Sequence, residues 1–124
     1  MAITTCVFDA YGTLFDVSAA ARTAAEEPGR DALAETWQTL AAQWRAKQLQ
    51  YTWLRAVTGE HTDFWQVTKD GLDWAMESVG LGEDPELRER LLALYWELAA
   101  YKEVHVILAK LKAARRTTAI LSNG

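Results

Sequence analysis

The chain reads as an α/β protein in which a pair of parallel strands is interrupted by an inserted block of helices. Three observations predict this. Ile3 to Phe8 and Thr117 to Leu121 are short, apolar and β-branched, each runs into a polar turn, and both are too short for helices. Between them, four stretches carry apolar residues at helical spacing, punctuated by Pro and Gly. A fifth helical stretch then leads into the second strand. Strand, helical block, helix and strand make a split βαβ-like unit, whose two strands lie parallel and end at one edge.

Each element has its own warrant. Ile3 to Phe8 reads as a buried strand closed by a turn at Gly12. Val17 to about Glu27 is Ala-rich and stops at Pro28-Gly29. Asp31 is placed to cap a long helix whose stripe of Leu33, Trp37, Leu40, Trp44, Lys47, Tyr51 and Leu54 ends before Gly59. Asp63 begins a third helix with Phe64, Val67, Leu72, Ala75 and Val79 on one face, stopped by Gly80 and Gly82. Pro85 opens a fourth, with Leu87, Leu91, Leu94, Tyr95 and Leu98 at helical spacing. Glu103 to Arg115 is a helix with Val104, Leu108 and Leu111 inward, and Thr117 to Leu121 is the strand that delivers Ser122-Asn123-Gly124.

Composition narrows the function classes. The 124 residues, half of them hydrophobic, suffice for one modest core. The net charge of −4 argues against a nucleic-acid or acidic-membrane partner. No apolar run approaches the roughly 20 residues of a membrane span, so a cytoplasmic location is expected. Cys6, the single cysteine, reads as a buried core thiol. His61 and His105 have no Cys, His or carboxylate at ligand spacing, so no metal site is expected. The six Trp residues read as core and helix-packing groups, with Trp53 off the main stripe.

The chemistry concentrates at the strand ends. Asp9 stands at the C-terminal end of the first strand, where open α/β sheets bind ligands and a carboxylate is placed to act as nucleophile. Ser122 would face the same pocket. Enzymes that form an acyl phosphate on such a residue usually carry a second Asp two positions on, which protonates an alkoxide leaving group; here Tyr11 occupies that position. A halide leaves without a proton. The plainer reading of Asp9 as a turn former or helix cap has to be weighed against its Tyr-Gly-Thr context.

Val7 to Asp16, containing Asp-Ala-Tyr-Gly-Thr-Leu-Phe-Asp, resembles the first motif of the haloacid dehalogenase superfamily in the form found in L-2-haloacid dehalogenases. Ala119 to Gly124, Ala-Ile-Leu-Ser-Asn-Gly, is similar to the second motif of that superfamily, and Trp44 to Arg55 resembles a cap-domain helix of the same enzymes. The resemblance implies a Rossmann-like core, of which the first two parallel strands are present, with an inserted α-helical cap. Residues 1-15 and 99-124 would form the partial core and residues 16-98 the cap. It implies Asp9 as nucleophile, Thr13 holding that carboxylate, Arg45 drawing out the halide, and Asn123 in the halide cradle and lining the substrate site. Ser122 would bind the substrate carboxylate, and Tyr11, Leu49 and Phe64 would wall the reacting carbon. The implied ligands are a short 2-haloacid and a halide ion, with no cofactor and no metal. Homodimers through cap helices are implied as well. His105 stands where related sequences often carry Pro, and Ala46 where Gln is common beside the arginine.

The resemblance covers about the first half of such an enzyme. Superfamily members continue with a strand carrying a lysine and a later strand carrying acidic residues, and Lys110 and Lys112 do not match that lysine. The sequence therefore reads as an incomplete or truncated enzyme. Two alternatives remain: a Mg²⁺-dependent small-molecule phosphatase of the same superfamily, against which Tyr11 counts, and a non-catalytic helical association module.

Overall fold

A computed structural model describes residues 2–123. Its elements run β1 (Thr5–Phe8), α1 (Ala19–Ala25), α2 (Asp31–Thr58), α3 (Phe64–Ser78), α4 (Pro85–Trp96), α5 (Val104–Ala113) and β2 (Thr117–Ile120). They form two compact units. One takes the chain up to Asp16 and from Ala99 onward; the other is Val17–Leu98.

The helical unit is built on α2, which packs along α3 and against α1. Ala19, Ala20, Ala21 and Ala24 are buried on α1, where side chains this small let its backbone approach α2 and α4. Asp63 and Asp84 cap α3 and α4, their carboxylates accepting the backbone N–H of Gln66 at 2.8 Å and of Leu87 at 2.9 Å. Asp31 does not cap α2 as expected. Arg30 occupies the cap position without a side-chain cap bond, and Asp31 is the first helical residue, where its charge still complements the helix dipole.

The inward stripe of α2 also departs from expectation. Leu33, Leu40, Ala41, Trp44 and Gln48 are buried, whereas Lys47 and Tyr51 are half-buried and Leu54 is exposed. A 28-residue helix outruns the partners that cover it, so its C-terminal turns keep apolar side chains in solvent. On α3 the buried set is Val67, Thr68, Gly71, Leu72, Ala75 and Met76. Gly71 marks the closest approach: a Cβ there would lie 3.3 Å from the Gln48 backbone nitrogen. On α4, Leu87, Leu91, Leu92 and Tyr95 are buried, and Leu94 is only half-buried. Of the six Trp side chains only Trp44 is buried; Trp37 and Trp65 are half-buried, Trp53, Trp74 and Trp96 are exposed, and Trp65 meets Trp96 edge-on between α3 and α4 with centroids 5.1 Å apart.

In the other unit β1 and β2 pair in parallel, Thr5 opposite Thr117 and Phe8 opposite Ile120. Bonds from Thr117 N–H to Thr4 C=O (2.9 Å) and from Leu121 N–H to Phe8 C=O (2.8 Å) carry the ladder past both ends. The expectation of a buried first strand fails. Val7 is 60% exposed, Cys6 and Phe8 are half-buried, and β2 is exposed throughout. Parallel strands become buried when both faces are covered, and here α5 packs on β2. Of the inward face expected for α5, Val104 is buried, while Leu108 and Leu111 are half-buried.

Candidate active site

The segment after β1 is shaped by its own backbone. Ala10 C=O accepts the N–H groups of Thr13, Leu14 and Phe15, and Gly12 N–H donates to Phe15 C=O at 2.9 Å. Gly12 takes φ +86°, a left-handed conformation that a side chain would strain. Phe15 bridges Ala100, and Asp16 N–H donates to Ala99 C=O at 2.8 Å, so the outgoing and returning chains are stitched together.

This turn brings Thr13 back over the strand end, where its Oγ1 donates to Asp9 Oδ2 at 3.1 Å. The carboxylate as a whole stays exposed. Tyr11 is half-buried, with its ring 6.1 Å from that of Phe15. The parallel register and the Leu121–Phe8 bond deliver Ser122 and Asn123 to the sheet edge where β1 releases Asp9. Ser122 is half-buried and Asn123 exposed. Gly124, the last residue of the second motif, lies outside the described residues. One side of the strand pair thus carries a carboxylate oriented by a hydroxyl, an aromatic side chain and two polar side chains.

The remaining expected site residues belong to the helical unit. Arg45 and Leu49 are half-buried and stand one turn apart on α2, so they share a face. Phe64 is the first residue of α3 and half-buried. Further along the same pair of helices Arg55 donates to Asp70 at 2.6 Å. Burial pushes the Asp70 carboxyl up, but hydrogen bonds from Arg55 and Gln66, with the charges of Arg55 and Lys69, outweigh this and hold it below its ordinary range. Lys47 Nζ sits 4.1 Å from the Trp74 ring centroid, a cation–π contact between α2 and α3.

Sequence reasoning missed a polar cluster inside the helical unit. Gln48, Thr68 and Tyr95 are buried, with Gln48 bonded to both of the others, and Trp44 Nε1 donates to Thr68 C=O at 2.8 Å. The signal that could have found it is a glutamine one turn after Trp44, on a helix face otherwise made of Leu, Ala and Trp. A groove of about 730 Å³ beside α3 and α4, lined by Trp65, Lys69, Arg88 and Trp96 among others, contains none of the expected site residues. Arg88 there is already bonded to Asp73 and Glu89, so the groove is not the candidate site. Among the described residues no group of three or more His, Cys, Asp and Glu is placed to hold a metal ion, and no helix is long and apolar enough to cross a membrane.

Comparison with known proteins connects these observations. No protein-family profile matches the chain. (S)-2-haloacid dehalogenase 1 of Pseudomonas sp. (strain CBS-3) is 49% identical over 122 residues, which are 98% of this chain and 52% of that protein. The (S)-2-haloacid dehalogenase of Xanthobacter autotrophicus is 42% identical over 119 residues, 95% of this chain and 44% of the relative. Among solved structures, a dehalogenase superposes with a TM-score of 0.87 at 41% identity, covering 98% of this chain and 52% of that one. L-2-haloacid dehalogenase from Xanthobacter autotrophicus superposes with a TM-score of 0.80 at 40% identity, covering 99% of this chain and 47% of that one. The same enzyme with chloropropionic acid covalently bound gives 0.77 at 39% identity, with the same coverage. The chain spans about half the length of the relatives it matches. In sequence and in fold it corresponds to about half of an L-2-haloacid dehalogenase.

Proposed function

We propose that this chain supplies the nucleophile and the halide-binding helices of an enzyme that hydrolyses short L-2-haloalkanoic acids to 2-hydroxy acids. Residues 1-15 and 99-124 contribute part of its core domain and residues 16-98 its cap. The observation that carries the reading is Asp9 at the strand end, oriented by Thr13, with Tyr11 where a second acid would otherwise stand.

An Asp9 carboxylate oxygen attacks C2 of the substrate from the side opposite the halogen. The new C–O bond forms as the carbon–halogen bond breaks, the bonding pair leaves with the halide, and C2 inverts. Water then adds to the Asp9 acyl carbon, the acyl C–O bond breaks, and the products are the 2-hydroxy acid, a proton and free Asp9. The route requires no cofactor or metal. Arg45 and Asn123 donate N–H groups to the charge growing on the halide. Ser122 binds the substrate carboxylate, and Tyr11, Asn123, Leu49 and Phe64 line the substrate site, where the apolar walls exclude water and strengthen those contacts. The similarity to a dehalogenase structure with chloropropionic acid covalently bound supports a covalent intermediate. Pairing of two copies through the helical unit belongs to the same reading, supported by the exposed Trp53, Leu54 and Val57 on α2.

The test is metal-free chloride release from L-2-chloropropionate, by this chain and by the same chain extended to a complete core sheet. A single turnover in H₂¹⁸O should put label into the Asp9 carboxylate before it reaches product. Label entering the hydroxy acid directly would overturn the ester route. Mg²⁺-dependent phosphate release in place of chloride release would overturn the dehalogenase reading.

A further inference from the structure

The buried polar cluster of the helical unit has no role in the chemistry above, yet it adjoins every cap residue that the chemistry uses. Gln48 Nε2 donates to Thr68 Oγ1 and to the Tyr95 hydroxyl, each at 3.0 Å, so both of its N–H donors are used. Thr68 Oγ1 in turn donates to Phe64 C=O at 2.7 Å. Trp44, bonded through its indole N–H to Thr68 C=O, packs against Tyr95 with the ring centroids 4.9 Å apart and the planes tilted by 43°. Gln48 is 1% exposed, Thr68 0% and Tyr95 4%, and no buried side-chain nitrogen or oxygen among the described residues lacks a partner.

Placement gives the cluster its meaning. Trp44 immediately precedes Arg45, and Gln48 immediately precedes Leu49. Each anchor sets the rotation of α2 for the site residue that follows it, about 100° around the helix. Thr68 holds the backbone of Phe64, one turn upstream on α3. An apolar contact between these helices would tolerate sliding and rotation, whereas directional bonds specify one register.

We propose that Gln48 and Thr68, supported by Trp44 and Tyr95, are positioning residues that fix α2 against α3 so that Arg45, Leu49 and Phe64 keep one arrangement. The proposal rests on the dehalogenase reading and deepens it. Because Arg45 acts on the departing halide while Leu49 and Phe64 only wall the substrate, a loosened register lowers kcat by a larger factor than it raises KM.

The experiment uses the chain with a completed core sheet and L-2-chloropropionate. Gln48→Met removes the amide that bonds to both hydroxyls and should lower both the thermal midpoint and kcat. The triple variant Gln48→Met, Thr68→Val, Tyr95→Phe removes both hydroxyls as well, an exchange that is nearly neutral for folding when shape is kept. The expected result is a midpoint near that of the parent with kcat still reduced between about 10- and 100-fold. Full recovery of kcat would reduce the cluster to packing and overturn the proposal. Thr68→Val alone repeats the test by removing the hydroxyl that bonds to Gln48 and Phe64: parental kcat in that folded variant would overturn it equally. In an Arg45→Ala background the triple variant should cost less than in the parent, since it acts largely through Arg45; an undiminished cost would overturn that route. A parent protein that releases no halide would instead refute the underlying dehalogenase reading.

Discussion

The two units stabilise themselves in different ways. In Val17–Leu98 nearly every apolar side chain that a helix turns inward finds another helix, and the polar groups caught there bond to one another. Among the described residues of the strand unit only Ala10, Leu14 and Val104 are buried apolar side chains, and Val7, Ile120 and Leu121 stand in solvent. A helix satisfies its backbone within itself and needs one covered stripe; a parallel strand needs neighbours on its edges and layers on both faces. The candidate nucleophile therefore sits on the less self-sufficient unit, and the candidate halide-binding arginine on the better packed one.

The comparison can be broken at its chemical end first. Asp9→Asn in a protein with a complete core should abolish halide release, because a neutral amide cannot form the ester. Sustained turnover by that variant, followed with a chloride electrode, would remove the strand unit from the chemistry. The packing contrast is tested by truncation. Leu91→Ala, at a fully buried position of α4, should cost about 2–5 kcal/mol in urea unfolding, typical of large-to-small core changes. Val7→Ala, on the exposed face of β1, should stay within about 0.5 kcal/mol. Equal costs would show that Val7 is covered in solution.

Arg45→Ala sharpens the same contrast from the helical side. It should slow halide release on the order of 100-fold while the helical circular dichroism stays unchanged. The smallest effect concerns Asp70. Its folded pKa is depressed, so its pairing with Arg55 stabilises the protein above the carboxyl's unfolded value and that contribution is lost as pH falls below about 4. Asp70→Asn should lower the thermal midpoint slightly at pH 7, and the two melting curves should converge towards pH 3.

Much of the helical architecture was legible from local signals. Asp63 precedes a helix and caps it, because capping needs only a side-chain oxygen and three residues of geometry, and Pro85 opens another as its first residue. Asp31 misled for the same reason: which residue takes the cap depends on where the incoming chain bends, and Arg30 is held there by bonding to Asp84, 54 positions on. The candidate site divides similarly. Asp9 and Thr13 are four residues apart, and the turn at Gly12 makes their contact a local matter. Gln48 was not legible as a buried group, because its partners Thr68 and Tyr95 lie 20 and 47 positions away.

Local order was thus determined by sequence alone: two short strands bracketing five helices, a carboxylate at a strand end, and Tyr11 where a second acid would stand. Periodicity, caps and turns act over a few residues and survive in any context. Tertiary structure decided which stripe residues are covered, the exposure of both strands, and the enclosure of an amide and two hydroxyls in the helical core. Burial is a property of neighbours, and those neighbours come from distant parts of the chain.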